Sequence, residues 1–226
     1  MKVLFIGNSH TYFNDMPRLF AEMTGRLTGE EAEVTMLAYS GRSLAWHMEE
    51  YLSLRFALLY GSFDYCVIQQ QAHPFPGEET TAENAKKIMA LCRAGNAKPV
   101  LCMTWAERGK PENAAVMSSV YRRLAEETGA LLAPVGELFE TVQKEHPSID
   151  LYYEDGAHAS PAGDYLIAAV YAALLTKTKD LSPLPDTAIA FRLPDGSLSL
   201  DPASMKITLD PDAAAVLRGL AESVVK

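Results

Sequence analysis

The residues best suited to catalysis in this sequence are a serine and a histidine in two separate loops. Ser9 follows a short apolar run, KVLFIGN, at the start of the chain. Far along the chain, in the stretch DGAHASPAG, Asp155 precedes His158 by three residues. A nucleophilic serine needs a base to take its proton, and that base needs a third group to fix its tautomer. Asp155 lies within reach of Nδ1 of His158, which leaves Nε2 for a serine.

Each half of this pattern also has a plainer interpretation. Asp155 can cap its loop while His158 is an ordinary surface residue, because a lone D-x-x-H has a high false-positive rate. A loop between a first strand and a helix also has the geometry of an anion site. The loop around Ser9 lacks the glycine density and the lysine of a phosphate-binding loop. A non-enzymatic or phosphate-binding module is therefore the alternative to hydrolysis, and it leaves the D-x-x-H unexplained.

The elements that would position these residues alternate regularly along the chain. Apolar runs of strand length are each followed by a segment with apolar residues at helical spacing, and the runs are KVLFIG, EVTMLAY, DYCVIQQQ, KPVLCMTW and ALLAPV. Such alternation predicts βαβ units, a parallel sheet of five strands and helices on both faces, hence an α/β fold. Ligands of open parallel sheets bind at the carboxyl ends of the strands, where Ser9 would lie.

The turn after the first strand is predicted in more detail. Gly7 would let the chain turn sharply, so that Ser9 stands clear at the rim of the sheet. Asn8 is expected to order the turn through a side-chain hydrogen bond to the backbone. These two residues would leave the backbone amide of Ser9 available.

The chain is predicted to consist of a main domain and a small appendage. Residues 1–181 carry the alternating pattern, and residues 182–226 differ because prolines cluster there. Within the appendage, Pro194-Asp195-Gly196 indicates a hairpin turn. Asp210 and Pro211 are typical of the N-cap and first position of a last helix. We expect this appendage to pack on the main domain.

Composition excludes several classes of protein. Of 226 residues, 48% are hydrophobic and 22% are charged, which predicts a folded core. The net charge is −9, with no basic cluster, so nucleic acid and acidic membrane surfaces are not expected partners. No apolar run approaches the ~20 residues of a membrane span. No signal-peptide pattern is present, and we expect a cytoplasmic protein.

The three cysteines also indicate the redox state of the protein's surroundings. Cys66, Cys92 and Cys102 all lie in apolar segments, and their number is odd. This pattern argues against a disulfide framework and against a zinc ribbon. We expect buried free thiols in a reducing compartment.

The stretches IGNSHTY and DGAHASPAG together resemble the motifs of the SGNH (GDSL-like) hydrolase family. That family carries its nucleophile in a G-D-S or G-N-S motif after the first strand, here Gly7-Asn8-Ser9. Its Asp and His lie in a D-x-x-H motif, here Asp155 and His158. The resemblance spans residues 2–176 and implies a flavodoxin-like three-layer α/β/α sandwich. It also implies a serine esterase that needs no cofactor.

The resemblance further assigns an oxyanion hole. The backbone amides of Ser9 and Gly41 would point at the developing oxyanion, although Gly41 on its own is an ordinary turn glycine. The usual G-x-N-D motif is absent and QQQAHP stands in its place, as in a branch of the superfamily with glutamine instead of asparagine. For the donor that joins these two amides we favour Gln71. Gln69 is the second choice and His73 is a weaker candidate. Polar filling at a strand end explains any single glutamine about equally well.

The substrate and its pocket follow from the same resemblance. It favours small, acetyl-like acyl esters, with an acylated carbohydrate preferred, and it leaves the oligomeric state open. His10, His73 and Trp105 are candidates for the substrate pocket. A hydrogen bond to the backbone is the favoured alternative for His10, and a place in the core or at the rim is an equal alternative for Trp105. The histidines do not have the spacing of zinc ligands, so we expect no metal.

Overall fold

The computed structural model describes residues 1–192 and 195–225. The chain divides into two compact units. The first unit comprises Met1–Thr11 and Glu33–Glu137, and the second comprises Tyr12–Ala32 and Leu138–Lys226. Within the described ranges, no helix is both long and apolar enough to cross a bilayer.

The secondary structure alternates as the sequence predicts. The strands are β1 (Lys2–Gly7), β2 (Glu33–Ala38), β3 (Tyr65–Gln69), β4 (Lys98–Cys102), β5 (Leu131–Ala133), β6 (Thr187–Ile189) and β7 (Lys206–Thr208). The helices are α1 (Ser9–Tyr12), α2 (Met16–Thr28), α3 (Leu44–Glu49), α4 (Tyr51–Gly61), α5 (Glu78–Ala94), α6 (Asn113–Thr128), α7 (Val135–Glu145), α8 (Pro161–Thr176) and α9 (Pro211–Glu222). A 3₁₀ turn, Pro202–Met205, precedes β7.

The first unit is built on a five-stranded sheet in the order β2-β1-β3-β4-β5. All four strand pairs are parallel. This order is the flavodoxin-like one, and the predicted α/β class with a five-stranded parallel sheet is confirmed. Val3, Leu4, Phe5 and Ile6 of β1 are completely buried. A strand buried on both faces reads as a continuous apolar run, which is why KVLFIG is not alternating.

The strand order places the sheet's switch point at the end of β1. β2 lies on one side of β1 and β3 lies on the other, so the connections leave β1 and β3 in opposite directions. A crevice opens at such a point beyond the carboxyl ends of the strands. Ser9 follows β1, and Gln70 and Gln71 follow β3, so all three lie at this edge.

The core of the first unit forms where the sheet meets its helices. Sheet residues pack in one cluster with residues of α4, α5 and α6, and its members include Leu4, Ile6, Ile68, Leu54, Leu58, Ile88 and Leu124. Cys66, Cys92 and Cys102 are buried and free, as predicted. The apolar spacing of residues 43–61 predicts one helix, but the structure has two. Glu50 separates α3 from α4 with φ −81° and ψ 33°, outside the helical region.

The second unit is organised around α8. Nearly every residue of α8 is buried, because its sequence is apolar on all sides. Ser160 caps it, and the Gly163 amide donates to the Ser160 hydroxyl over 3.1 Å. α2 and α9 both pack against α8. Asp210 caps α9 by accepting from the Ala213 amide over 2.9 Å, as predicted.

The predicted hairpin has a different second strand. β6 pairs antiparallel with β7, whereas residues 197–200 form no strand. The Asp195 carboxylate accepts from the Ser197 amide over 2.9 Å, so this ladder donor is already used. Pro194, in the predicted turn, lies outside the described residues. The boundary between a domain at 1–181 and an appendage at 182–226 stays a prediction.

A buried carboxyl group lies within the second unit. Asp164 on α8 is completely buried, and Oδ2 accepts from Nδ2 of Asn14 over 2.8 Å and from its backbone amide over 3.2 Å. Within the described part of the chain, Oδ1 has no hydrogen-bond partner. Burial raises the pKa of Asp164 to about 7, although the bonds from Asn14 act in the opposite direction. The protonated form of Asp164 is therefore better suited to this buried position than the carboxylate.

Replacing Asp164 by asparagine should flatten part of the pH dependence of stability. The unfolded carboxyl titrates near ~3.9, so the native state holds its proton to higher pH and this stabilisation is lost as pH rises towards 7. The whole loss is at most about 4 kcal/mol. Asparagine mimics the protonated acid, so we expect Asp164→Asn to gain relative to wild type between pH 4 and 8. Urea unfolding across this range measures the difference, and parallel curves would contradict the assignment.

Candidate active site

Ser9 lies in a tightly bonded turn at the end of β1. Asn8 is buried, with 1% of its surface exposed, and its Oδ1 accepts from the His10 amide over 3.1 Å. Its Nδ2 donates to the Arg42 carbonyl over 3.0 Å. Ser9 is half-buried and begins α1. The prediction that Asn8 orders this turn through its side chain is confirmed.

Gln69 fixes the same turn from the neighbouring strand. Its Oε1 accepts from the Asn8 amide over 3.0 Å and from the Thr11 hydroxyl over 2.9 Å. Its Nε2 donates to the Gln70 carbonyl. A Cβ on Gly7 would clash with both the Thr11 hydroxyl and the Gln69 side chain, so this position needs glycine for close approach. The Gln69 side chain thus holds the turn, and its amide group is already bonded.

Gln70 and Gln71 have different surroundings. Gln70 is completely buried, and its Oε1 accepts from the Leu44 amide over 3.0 Å and from the Gln71 amide over 2.8 Å. Gln71 is half-buried, and its Nε2 reaches the His73 carbonyl only over 3.4 Å. This long contact leaves the side-chain amide of Gln71 more available than that of Gln69, which already donates to the Gln70 carbonyl.

Gly41 lies in the exposed turn after β2. It has φ +69°, a left-handed conformation that side chains disfavour. The Arg42 amide donates to the Tyr39 carbonyl over 3.0 Å and closes this turn. The Tyr39 amide in turn donates to the Gly7 carbonyl over 3.1 Å, so the Gly41 turn starts beside the end of β1.

The three predicted pocket residues lie together in the first unit. The ring centroid of His10 lies 5.0 Å from that of His73 and 5.2 Å from that of Trp105. Only 1% of Trp105 and 9% of His10 are exposed. His73 also approaches the Glu107 carboxylate, with 3.6 Å between Nδ1 and Oε1. Their role in a substrate pocket stays a prediction.

Asp155 and His158 form a hydrogen-bonded pair in the second unit. Oδ2 of Asp155 lies 2.6 Å from Nδ1 of His158. Oδ1 accepts from the backbone amides of Ala157 and His158, each over 2.9 Å. Asp155 therefore contacts Nδ1 of His158, as the spacing of the two residues predicts.

The ionisation of Asp155 determines what this pair can do. Burial raises the pKa of Asp155, but the hydrogen bonds from His158 and from the Ala157 amide outweigh it and leave the pKa below its usual value. An ionised carboxylate only accepts, so Nδ1 of His158 carries the proton. In that tautomer of the neutral ring, Nε2 carries the lone pair that can accept a proton.

Solved structures reveal what the chain is similar to, whereas no family model and no curated protein matches it. A protein from Slackia heliotrinireducens described as an SGNH hydrolase has 30% sequence identity and a TM-score of 0.67. The match covers 77% of this chain and 98% of that one. The chain belongs to the SGNH hydrolase family. The prediction of an SGNH/GDSL-type hydrolase, the class that acts on ester bonds, is confirmed at this level.

More distant structures share the SGNH fold. A lipolytic G-D-S-L family member from Veillonella parvula has 16% identity and a TM-score of 0.61, covering 77% of this chain and 97% of that one. An acetylxylan esterase from Geobacillus stearothermophilus has 16% identity and a TM-score of 0.61, covering 74% and 90%. At these identities the likeness concerns the fold alone. Family membership favours an enzyme over the non-enzymatic alternative.

His158 packs in an aromatic stack that the sequence patterns did not predict. The Phe13 ring is stacked on His158, with 4.3 Å between centroids and 17° between planes. Phe191 stacks on Phe13 at 4.5 Å, and Tyr153 meets Phe13 edge-on at 4.9 Å. The histidine is therefore bonded at Nδ1 and packed on a ring face. No short-range pattern links residues this far apart in the sequence.

The side chains that could bind a metal ion were compared by their positions in this SGNH hydrolase. Over residues 1–192 and 195–225, no three His, Cys, Asp or Glu side chains are grouped so as to hold a metal ion. The chemistry proposed below uses only side chains and backbone amides of the chain.

Proposed function

We propose that this SGNH hydrolase is a serine esterase that cleaves small acyl esters with Ser9, His158 and Asp155. The observation that carries the proposal is the 2.6 Å contact between Oδ2 of Asp155 and Nδ1 of His158, which supports Nε2 as the accepting nitrogen. Ser9 supports it as a half-buried hydroxyl in a turn held by Asn8 and Gln69.

In the first half of the reaction, the ester is converted to an acyl-enzyme. The Ser9 hydroxyl attacks the ester carbonyl while Nε2 of His158 takes the hydroxyl proton. The tetrahedral intermediate collapses, the C–O bond to the alcohol breaks, and His158 gives its proton to the leaving oxygen. Asp155 stays ionised throughout and stabilises the imidazolium.

The negative charge of the tetrahedral intermediate needs donors aimed at the oxyanion. We assign this task to the backbone amides of Ser9 and Gly41 and to the side-chain amide of Gln71. We place Gln71 before Gln69, because the Gln69 amide already donates to the Gln70 carbonyl. One such donor is worth about 3 kcal/mol of the barrier.

The second half of the reaction releases the acid. Water attacks the acyl carbon while His158 takes one of its protons, and the bond to the Ser9 oxygen breaks as that oxygen is protonated again. No cofactor takes part. The triad thus returns to its starting state after each turnover.

The proposed substrate is a short acyl ester, with an acylated carbohydrate preferred. The packed rings of His10, His73 and Trp105 support a short acyl group, because little open volume would remain beside such buried side chains. The structural neighbour described as an acetylxylan esterase supports the carbohydrate.

Covalent labelling tests the proposal directly. A fluorophosphonate reagent should add to the Ser9 hydroxyl, and peptide mass spectrometry should find the adduct on the peptide that contains Ser9. The same enzyme should hydrolyse p-nitrophenyl acetate faster than p-nitrophenyl octanoate. Labelling of another serine, or of none in an enzyme active on esters, would contradict the assignment of the nucleophile.

Phe13 is expected to position His158, and Phe13→Leu should lower kcat on p-nitrophenyl acetate by about tenfold. The leucine removes the flat surface that keeps the imidazole in the plane of its bond to Asp155. KM should change little, because Phe13 acts through the base. Phe13→Tyr keeps the ring and should restore kcat, and thermal melting controls for folding. Equal kcat in Phe13→Leu and wild type would refute this role.

A further inference from the structure

A separate pocket lies between the edge strand β2 and the helices α3 and α4. Its volume is about 250 Å³, and its lining residues are Leu37, Tyr39, Trp46, His47, Glu50, Ser53 and Leu54. None of these residues belongs to the proposed triad or oxyanion hole. The pocket combines aromatic, aliphatic and polar side chains, so it is suited to a ligand with both kinds of surface.

The inner wall of this pocket contacts the end of β1. Nε2 of the buried His47 donates to the Gly7 carbonyl over 2.8 Å, and the Tyr39 amide donates to the same oxygen. Gly7 precedes Ser9 by two residues, so a ligand in this pocket would adjoin the turn that carries Ser9. Burial lowers the pKa of His47, although its bond to Gly7 acts in the opposite direction. The neutral ring donates at Nε2 and accepts at Nδ1.

The aromatic wall is formed by Tyr39 and Trp46. Their ring centroids lie 4.9 Å apart, and Tyr39 keeps 44% of its surface exposed. The guanidinium of Arg42 lies 5.2 Å from the Trp46 centroid. An exposed aromatic surface next to a cavity favours flat, weakly apolar ligand faces, such as the C–H face of a sugar ring.

The polar groups narrow the chemical class of the ligand. Glu50 and Ser53 are exposed at the junction of α3 and α4. An acyl chain would cover the Glu50 carboxylate without bonding to it, at a cost in desolvation. An anion would meet Glu50 in a chain of net charge −9, and a cation on Trp46 would meet Arg42. A neutral polyhydroxyl ring avoids all three penalties and can donate to Glu50.

We propose that this pocket binds the sugar ring of an acylated carbohydrate whose ester group reaches Ser9. This inference rests on the proposed function and names its alcohol portion. Ligand pockets for drug-sized molecules measure about 300–1,000 Å³, so a pocket of about 250 Å³ suits one sugar ring. Trp46 supplies the stacking surface, while Glu50 and Ser53 accept from hydroxyl groups.

Specificity measurements test the proposal. For wild type, Trp46→Ala and Glu50→Gln, kcat/KM is measured on p-nitrophenyl acetate and on a panel of acetylated xylobiose, acetylated glucose and acetylated N-acetylglucosamine. We expect the ratio of kcat/KM for the best saccharide to that for p-nitrophenyl acetate to fall at least tenfold in both variants. Tyr60→Ala is the matched control, because Tyr60 is 76% exposed on α4 and does not line the pocket.

A binding measurement separates this inference from the proposed function. Ser9→Ala removes the proposed nucleophile, and binding of the acetylated saccharides can then be measured by isothermal titration calorimetry without turnover. Saturable binding that Trp46→Phe preserves and Glu50→Gln weakens supports the pocket even if wild type hydrolyses no ester. An active wild type whose saccharide preference is unchanged in both pocket variants would overturn the inference and leave the proposed function standing. A selective loss on p-nitrophenyl octanoate or on acetylcholine would overturn it in favour of an acyl or a cation site.

Discussion

Ser9→Ala is expected to lower kcat/KM for p-nitrophenyl acetate by a factor of about 10³ or more. The alanine leaves no oxygen to form the acyl-enzyme. The turn around it keeps the hydrogen bonds that the side chains of Asn8 and Gln69 accept from backbone amides. The residual rate would come from the oxyanion donors and from substrate binding alone. Steady-state hydrolysis with an equal amount of folded protein measures the loss.

The control for Ser9→Ala is the same substitution at another serine of the first unit. Ser119 is exposed on α6, and its hydroxyl donates to the Val116 carbonyl over 2.8 Å. Ser119→Ala should keep the wild-type rate. If Ser9→Ala also kept it, Ser9 would not be the nucleophile, and another hydroxyl or a bound water would have to attack the ester.

Asp155→Asn is expected to lower kcat by a factor of about 10²–10⁴ while the loop keeps its shape. An asparagine oxygen can still accept from the Ala157 amide, but its NH₂ group would face Nδ1 of His158. The imidazole would then keep its proton on Nε2 and could not accept one from Ser9. Kinetics on p-nitrophenyl acetate, with circular dichroism for folding, measure this effect.

Asp195→Asn is the matched control for this prediction. Asp195 also accepts from a backbone amide two residues on, that of Ser197, and its side-chain partner is the Ser197 hydroxyl in place of a histidine. Its replacement should leave kcat unchanged. An active Asp155→Asn enzyme would mean that His158 does not depend on this carboxylate for its tautomer, and the triad would reduce to a pair.

Much of the fold followed from local patterns. Continuous apolar runs predicted buried parallel strands, and Asp210 marked the start of the last helix, because a cap is a short-range interaction. Asp155 and His158 were predictable for the same reason. Their contact spans only three residues of the loop.

Contacts between distant segments could not be predicted in this way. The bonds that Gln69 accepts from Asn8 and Thr11 join residues about sixty positions apart, and only the sheet order brings them together. The stack of Phe13 on His158 likewise depends on how the second unit packs. The prediction of residues 197–200 as the second strand of the hairpin was wrong. The Asp195 carboxylate accepts from the Ser197 amide, and β6 pairs instead with β7, which lies further along the chain.

The loop that contains Asp155 has a consequence for how such enzymes can vary. One oxygen of this carboxylate closes the loop through the Ala157 and His158 amides, and the other holds the imidazole of His158. Closure of the loop and orientation of the proposed base therefore both depend on the side chain of Asp155. An insertion between Asp155 and His158 would separate the two tasks, so the length of this motif is constrained by chain geometry as strictly as its residue types are by chemistry.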